Sequence, residues 1–475
     1  MPLRAKVTNP ALTAATMSTS PQIPREKPRD PPDDVLFNSI YGLRSIELNR
    51  PQKLNSLNGS MVRKIAPRLE VRMGEISSCK HHPHFGSRAQ GALRRWRCCG
   101  PGATEPEKGG EGQRKSSYFF KQEYFLDHMI ATYSKPVVSF MDGITMGGGV
   151  GLSMHAPFRV ATEKTVFAMP ETSIGFFPDV GASFFLPRLD GEIGTYLALT
   201  SERLNGVQTL YSGIATHYLH SSVLSNVAQR LSELVFSDHS TLDQRVDIVN
   251  NTLAEYSLGL PSLQEEPILL GGGLRTAIDR CFQFNTVEEI FQALKNETEY
   301  KHWAKETLKT LSSRSPTSLK VTLRQLRLGK KWSIAEAFKR EHEIASNFMR
   351  HPDFVEGVSA RLISKPPRQA EWKPATLDQV SQEEVDAFFY APEDESVLKL
   401  LDKEDYKESP HSRIALPTEA EIQRFITAEA GYGISKKQVV NKFVEMCNQK
   451  EGVREKVADV LARRTVMQED GLRWV

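Results

Sequence analysis

Two features of this sequence could do chemistry: a cluster of glycines and a pair of acidic residues that follows it. The glycines are Gly147, Gly148, Gly149 and Gly151, and they come directly after the apolar run at residues 136–141. Glycines between a strand and a helix leave backbone N–H groups uncovered at a helix N-terminus, where they can hold a phosphate or a developing oxyanion. A tight strand-to-helix turn without any ligand would show the same pattern.

The acidic pair consists of Glu171 and Asp179, which lie in the apolar and aromatic stretch at residues 167–181. Burial in such surroundings raises the pKa of a carboxyl group and makes it usable as a general acid or base near neutral pH. The alternative is that one of the two caps a helix. The apolar setting, downstream of the glycine cluster, favours a functional pair.

Two other motifs can be compared with the same stretch. A dinucleotide-binding fingerprint would use Gly147 and Gly149, with Glu171 at a suitable distance, but Leu152 stands where its last glycine belongs. A serine-hydrolase elbow would centre on Ser153, but His155 replaces its final glycine. Neither motif is complete, so the sequence predicts neither activity.

Composition excludes several classes of protein. The 475 residues carry a net charge of only +3, which predicts no recruitment of nucleic acid and no attraction to an anionic membrane. Five unevenly spaced cysteines make no disulfide framework. The sequence contains no uninterrupted apolar run of about 20 residues, so it predicts no membrane span. We therefore expect a large globular protein.

The chain divides into four parts by composition. Residues 1–34 contain a basic start that is acid-free and rich in Ser, Thr and Ala, and then a Pro-rich linker. The composition of the start predicts a mitochondrial transit peptide and mitochondrial localisation. Residues 35–220 alternate short strands, Gly-rich turns and helices, as an α/β core does. Residues 221–389 are mainly helical. Residues 390–475 are a charged linker and a C-terminal helical extension.

Local patterns predict the elements that position the candidate site. An alternating pattern at residues 34–48 indicates a hairpin that turns near Tyr41 and Gly42. Helical periods occupy residues 58–69 and 118–133, and a buried strand occupies residues 136–141. Two capping boxes, Thr418 with Glu421 and Ser435 with Gln438, each open an amphipathic helix in the extension.

With these motifs in place, the sequence resembles the enoyl-CoA hydratase/isomerase (crotonase) superfamily. The resemblance is carried by the segments MDGITMGGGVG, FAMPETSIGFFPDVG and FFLPRL between residues 134 and 219. Three outlying segments agree: LNRPQKLNSLN at 48–58, SPTSLKVTLRQL at 315–326 and HPDFVEGVSARLISK at 351–365. The last two point to the 3-hydroxyisobutyryl-CoA hydrolase family within that superfamily. The likeness covers about residues 35–389.

The resemblance implies a fold, an activity and a set of roles. The fold would be the crotonase spiral of ββα turns with helices behind it. The substrate would be a 3-hydroxyacyl-CoA thioester, namely (S)-3-hydroxyisobutyryl-CoA of valine catabolism, so that CoA is part of the substrate. By the same resemblance, no metal ion and no redox cofactor would be needed. Gly147 and Gly148 would bind the substrate, with the Gly148 N–H as half of an oxyanion hole. Glu171 would activate water or attack covalently, and Asp179 would bind the 3-hydroxyl group or share the proton transfers.

One expected motif of that family is absent. Its members carry A-[FL]-C-A-G-G-D ahead of the helix at residues 118–133, and its backbone supplies the second oxyanion donor. Here residues 91–100 are GALRRWRCCG, and residues 79–104 have neither helical nor strand period. An inserted metal site using Cys79, His81, His82, His84, Cys98 and Cys99 is an alternative, but the spacing fits no standard zinc pattern.

The genetic code offers another explanation of this segment. If the codons of residues 91–99 are read one base later, they permit the sequence ALCAGGDVA, which is the missing motif in place and in order. Residues 79–90, read in the same way, permit VNIIHISGAGPK, a β-prone run into a glycine turn. We therefore predict that residues 75–106 are translated in a shifted frame. The chain as written would then lose a buried strand and half of its oxyanion hole, fold poorly around residues 75–115 and be nearly inactive.

Two further functions stay open from the sequence. Hydrolase-like members of this family also occur as non-catalytic proteins of the mitochondrial small ribosomal subunit, which makes the mitochondrial ribosome, besides a second copy of the chain, a partner to consider. An enoyl-CoA hydratase is the third alternative, but such enzymes carry glutamate at both acidic positions, and Asp179 occupies one of them here.

Overall fold

The computed structural model describes residues 23–73, 82–86, 110–393, 397–401, 404–429, 433–469 and 471–475. For residues 71–73, 82–86 and 110 it describes the backbone alone. The start of the predicted transit peptide and most of the segment at 75–106, including the alternative metal site, lie outside the described residues. The predicted α/β class, with a mainly helical region behind the core, is confirmed.

The core is built on a six-stranded sheet in the order β1-β2-β3-β4-β6-β9. Only β1 and β2 are antiparallel, and every other neighbouring pair in this sheet is parallel. A smaller sheet has the order β5-β7-β8. The strands are β1 (Val35–Ile40), β2 (Leu43–Leu48), β3 (His82–Gly86), β4 (Val138–Met141), β5 (Ile144–Thr145), β6 (Phe158–Ala161), β7 (Val166–Phe167), β8 (Leu204–Asn205) and β9 (His217–Tyr218).

The backbone of β3 corrects one expectation from the sequence. His82–Gly86 pairs in parallel with β2 on one side and β4 on the other, so the chain as written keeps a strand here. The reason is that a ladder uses only backbone groups, and the facing edges of β2 and β4 present donors and acceptors that need partners. A helix also begins at Gly110, inside the stretch up to residue 115 that the sequence predicts to fold poorly.

Three helices carry or flank the candidate site: α1 (Gly59–Met73), α2 (Gly110–Ala131) and α3 (Gly148–Met154). The first two confirm helices that the sequence predicts. The apolar stripe predicted for α1 is fully buried, since none of its members exceeds 2% exposure: Met61, Val62, Ile65, Ala66 and Leu69. The helix α2 lies against α1 and against the later helix at residues 334–348.

The remaining core and the region behind it are helical, as expected after residue 221. The helices are α4 (Ala182–Phe185), α5 (Ile193–Thr200), α6 (Gln208–Tyr211), α7 (Leu224–Ser232), α8 (Leu242–Ala254), α9 (Gly272–Phe282), α10 (Val287–Asn296), α11 (Lys301–Ser312), α12 (Pro316–Gly329), α13 (Ile334–Phe348), α14 (Pro352–Val358) and α15 (Gln382–Ala387).

The segment at residues 23–34, predicted as a linker, is held on the core. Asp34 forms a buried ion pair with Lys64 of α1 at 2.6 Å, and Asp30 pairs with Arg63 of the same helix. Ile23 packs against the main hydrophobic cluster. The ordered part of the chain therefore begins before Val35.

The C-terminal extension forms its own small unit of three helices and a hairpin: α16 (Glu419–Ala428), α17 (Lys436–Met446), α18 (Val453–Arg464), β10 (Thr465–Gln468) and β11 (Gly471–Trp474). Both predicted capping boxes are confirmed, at Thr418 with Glu421 and at Ser435 with Gln438. The apolar faces of these helices pack with Val207, Leu210 and Tyr211 at α6 in one hydrophobic cluster.

A buried ion cluster fixes the extension to α9. The Glu419 carboxylate accepts from Arg275 at 2.7 Å, from Arg463 at 3.0 Å and from Arg464 at 2.8 Å. Burial opposes ionisation, but Arg275 and the two other guanidinium groups outweigh it and lower the pKa of Glu419 to about 2. Because Arg275 belongs to α9 and its partner to α16, these contacts tie the extension to the core.

Candidate active site

The helix α2 directs a row of polar side chains into the core. Glu123, Tyr124 and Asp127 are at most 3% exposed, although acids normally avoid such positions. Their spacing places all three on the side of α2 that faces the glycine cluster, α13 and the loop at Asp179. A helix face of this kind, buried and polar, indicates a functional surface.

Two short turns position the acids predicted from the sequence. Glu171 begins a single 3₁₀ turn, Glu171–Ile174, which ends at Gly175 with φ +70°. A Cβ on Gly175 would lie 2.2 Å from the carbonyl oxygen of Asp353, so no other residue fits there without a shift. Asp179 precedes α4, and its carbonyl accepts from Ala182 N–H at 3.0 Å. Both carboxyl groups are buried.

Tyr124 bonds directly to the second of these acids. Its Oη donates to Oδ2 of Asp179 at 2.7 Å, within the buried interior. Burial raises the pKa of Asp179 to about 7, although the bond from Tyr124 and the backbone N–H of Asp179 itself both lower it. Asp179 therefore changes its charge close to neutral pH, where a general acid or base is most effective.

The environment of Glu171 acts in the same direction as that of Asp179. Burial raises the pKa of Glu171 well above its usual value, and the nearby charges of Asp179 and Glu123 raise it further. Its Oε2 atom is buried and has no hydrogen-bond partner within the described part of the chain. This oxygen is thus available for a ligand or a water molecule.

Gly148 starts α3, after Gly147 has turned the chain with φ +51°. The N–H groups of Gly149, Val150 and Gly151 all bond to carbonyls of the turn, whereas that of Gly148 has no partner among the residues described. A Cβ on Gly148 would lie 2.5 Å from Oε1 of Glu123, so that carboxyl group sits directly beside the glycine.

Glu341 of α13 secures the loop that follows Asp179. Its two carboxylate oxygens accept from the N–H of Gly181 at 2.6 Å and from the N–H and hydroxyl of Ser183 at 2.9 and 2.5 Å. Burial raises the pKa of Glu341 to about 8, against the effect of these bonds. The loop is therefore tied to α13 at both of its ends.

The site as a whole is a cluster of five buried acids. Burial is the largest cause of the raised pKa at each of its members, and repulsion by neighbouring acids adds to it at every member except Asp179. Like charges at this spacing in a dry interior cannot all ionise, so the cluster holds protons at neutral pH. Its members are Glu123, Asp127, Glu171, Asp179 and Glu341.

The structure brings together the residues that the sequence singled out. Asp179 and Glu171 influence each other electrostatically, and Glu123, which also acts on Glu171, touches Gly148. Ser153, the centre of the incomplete serine-hydrolase motif, donates instead to the carbonyl of Gly149 at 2.7 Å and packs as a structural residue.

Sequence reasoning missed Glu123, Tyr124, Asp127 and Glu341. A signal existed in the first three: the apolar stripe of α2 is interrupted on its buried side by two acids four residues apart. Such acids are usually taken for a solvated face, and only the packing of α2 shows that they point inward.

The described residues contain no group of three or more His, Cys, Asp or Glu side chains arranged to hold a metal ion. Within the same residues, no helix combines the length and the apolar character needed to cross a membrane.

Comparison with known proteins agrees with the fold. Residues 43–389 match the family model described as enoyl-CoA hydratase/isomerase. Small ribosomal subunit protein mS47 of Neurospora crassa is 49% identical over 98% of this chain and 92% of its own length. The mitochondrial 3-hydroxyisobutyryl-CoA hydrolase of Xenopus laevis is 41% identical over 72% of this chain and 85% of its own length.

A solved structure shows the same architecture. The crystal structure of a carnitinyl-CoA dehydratase from Mycobacterium thermoresistibile superposes with a TM-score of 0.63 and 30% identity, covering 78% of this chain and all of that one. The expected crotonase fold is thereby confirmed, and the relatives confirm the expected mitochondrial localisation. By fold, by family model and by relatives, this chain belongs to the enoyl-CoA hydratase/isomerase family.

Proposed function

We propose that this protein hydrolyses a 3-hydroxyacyl-CoA thioester, with (S)-3-hydroxyisobutyryl-CoA of valine catabolism as the substrate and 3-hydroxyisobutyrate and CoA as products. The observation that carries the proposal is the buried pair of Glu171 and Asp179, with one oxygen of Glu171 unpartnered among the described residues. Glu123, whose charge acts on Glu171, lies next to Gly148 and links the pair to that glycine. The relatives named 3-hydroxyisobutyryl-CoA hydrolase support this choice of substrate.

The charge state of the pair suits hydrolysis. Two interacting carboxyl groups in a dry site lose their protons in separate steps, so between those steps the pair contains one base and one acid. Hydrolysis needs both functions: a base to take a proton from water or a carboxylate to attack, and an acid to return a proton to the leaving thiolate. Asp179, whose pKa is about 7, places this state in the neutral range.

The carbonyl oxygen of the substrate gains negative charge as the thioester is attacked. A hydrogen-bond donor already aimed at it lowers the barrier, and one such donor is typically worth about 10²–10³ in kcat. The Gly148 N–H fits this role. The second donor expected from the family belongs to residues 91–100, whose written sequence lacks the motif, so we expect low activity from the chain as written.

Replacing Glu171 by glutamine tests the proposal. The assay follows release of the CoA thiol, in the chain with residues 75–106 restored to the shifted frame. We expect Glu171→Gln to lower kcat by about 10²–10⁴, the usual contribution of a general base. Glu163→Gln is the control, because that carboxylate is partly exposed and bonds only Ser221 and its neighbours. Near-normal turnover of Glu171→Gln would remove this residue from the mechanism.

An isotope experiment separates the two roles of Glu171. If its carboxylate attacks, an anhydride forms and water then attacks it, so in a single turnover in H₂¹⁸O the label can enter the Glu171 carboxyl group. If Glu171 acts as a base, the label enters the product only. Mass spectrometry of the peptide that contains residue 171 distinguishes the routes.

A second function is supported by the extent of the match to mS47. The family model ends at residue 389, whereas the alignment with the Neurospora crassa protein spans 98% of this chain and so includes most of the C-terminal extension. We propose as the alternative that the protein is a component of the mitochondrial small ribosomal subunit. Sedimentation with that subunit at physiological salt would support this function, and recovery of all the protein at the top of the gradient would refute it.

The hydratase alternative is tested in the same preparations. A hydratase would add water across the double bond of an α,β-unsaturated acyl-CoA. The loss of enoyl absorbance measures this reaction. The presence of Asp179 rather than glutamate argues against this activity, and we expect no absorbance change.

A further inference from the structure

We infer that Tyr124 is a positioning residue for Asp179: its hydroxyl group fixes one oxygen of that carboxylate and selects the ionised form of the acid. The inference rests on the function proposed above and deepens it, because it explains how Asp179 keeps an ionised form within reach of neutral pH inside a crowded acid cluster. It follows from the geometry on both sides of Asp179.

The position of the tyrosine hydroxyl is set by packing. Tyr124 has no exposed surface, and its ring lies between Phe120 and Phe338, with centroid separations of 5.9 and 6.3 Å. A ring confined in this way can place its hydroxyl in one small region only. That region is the Oδ2 atom of Asp179, 2.7 Å away.

The position of the carboxylate is set from the opposite side. Glu341 binds the N–H groups of Gly181 and Ser183, which are two and four residues after Asp179. The turn therefore cannot carry Asp179 away from Tyr124 without breaking bonds to a buried carboxylate. Both ends of the Tyr124–Asp179 hydrogen bond are thus anchored independently of it.

The chemical effect of the bond has one direction. A neutral hydroxyl group that donates to a carboxyl oxygen stabilises the ionised form, whereas burial opposes the ionisation of Asp179. Tyr124 stays a donor, because burial and then the charge of Asp179 raise its own pKa well above 10. The titratable groups packed around the pair are Glu123, Asp127, Glu171 and Glu341, with His128 and His155 behind them.

Substitution of Tyr124 by phenylalanine tests the inference, with the matched control Tyr196→Phe. Tyr196 is also buried and also donates to a carboxylate, Glu202 at 3.1 Å, but it lies outside the site. We expect Tyr124→Phe to move the rising limb of kcat/KM upward by about one pH unit and to lower kcat about tenfold at pH 7. KM should change little, and Tyr196→Phe should change none of these quantities.

A second measurement keeps this test independent of the proposed function. The carboxyl carbon of Asp179 can be titrated by NMR in the chain as written, without turnover. Its midpoint should rise in Tyr124→Phe and should fall when a fluorinated, more acidic tyrosine is incorporated at position 124. If the protein lacks thioesterase activity but these midpoints move, the proposed function fails and the inference stands. If the midpoints and the pH profile are unchanged in both variants, Tyr124 does not position Asp179.

Discussion

Glu123 occupies the space that any side chain at position 148 would need. Its Oε1 atom would lie 2.5 Å from a Cβ on Gly148, and Leu57 Cβ would lie 2.9 Å from the same atom on the other side. The glycine is therefore required by its neighbours rather than by its backbone conformation. The carboxyl group and the free N–H of Gly148 consequently border the same small space.

This relationship predicts opposite outcomes for two adjacent glycines. Gly148→Ala should push Glu123 aside and displace the N–H donor, which we expect to lower kcat at least tenfold, within the usual cost of a lost oxyanion donor. Gly149→Ala is the control, because none of the described residues outside its own turn lies within 4 Å of a Cβ there. Thioester hydrolysis by both variants in the frame-restored chain checks this. Equal activities would show that the space beside Gly148 does not matter.

The raised pKa of Asp179 predicts a cost in stability that depends on pH. Because the folded value of about 7 lies above the ordinary value of 3.8, the folded state binds the proton more tightly. Its contribution is complete below about pH 4 and is lost as the pH rises through 7. Asp179→Asn, which still accepts from Tyr124, should therefore raise the free energy of unfolding at pH 8 by about 1–4 kcal/mol.

Urea unfolding of wild type and Asp179→Asn at pH 5 and pH 8 measures this difference. The gain should be larger at pH 8, and the exposed Asp378→Asn should show no such dependence. A gain of the same size at both pH values would mean that the charge of Asp179 is not its cause.

The ion cluster at Glu419 predicts the reverse pH dependence for the C-terminal extension. Its folded pKa of about 2 lies below the ordinary value of 4.5, so its contribution is present above 4.5 and is lost as the pH falls toward 2. Glu419→Gln should leave Arg275 buried without its carboxylate and cost about 3–5 kcal/mol. Hydrogen exchange of the α18 amides should be faster in this variant than in the wild type at pH 7. In the wild type, the protection of these amides should be lost only at acid pH.

Glu445→Gln is the matched control for that experiment. Its carboxylate is on α17 of the same extension, is largely exposed and meets only Lys442 at 3.4 Å. An exposed pair of this kind contributes little, so exchange of α18 should be unchanged. Protection that survives Glu419→Gln would show that apolar packing alone holds the extension.

The sequence predicts those features of this molecule that depend on residues close together in the chain, and it misses those that depend on residues far apart. The hairpin before Leu48 and the caps at Thr418 and Ser435 follow from residues within a few positions of one another, and all are confirmed. Glu171 and Asp179 could be found because their own segment is apolar. Glu123 and Tyr124 could not, because their burial depends on helices more than 200 residues away, such as α13.

The segment at residues 75–106 gives a prediction that can be tested on the transcript, without purified protein. Reading the possible codons of residues 91–99 one base later permits the motif ALCAGGDVA, which would supply the second oxyanion donor. We expect the transcript to show compensating insertions or deletions on either side of codons 75–106 when it is compared with those of close relatives. The frame-restored chain should then hydrolyse the thioester about 10²–10³ times faster than the chain as written. A transcript in the written frame, without such changes in relatives, would refute the shift.

The hydrophobic cluster that α6 shares with the extension also bears on how the chain is made. Val207, Leu210 and Tyr211 are covered by Val457 and Leu461, which a ribosome adds about 250 residues later. Because a ribosome adds about 5–20 residues per second, this apolar patch stays uncovered for roughly 10–50 s during synthesis. The newly made chain therefore exposes apolar surface for a long interval. During that interval, a chaperone that binds apolar segments would protect it from aggregation.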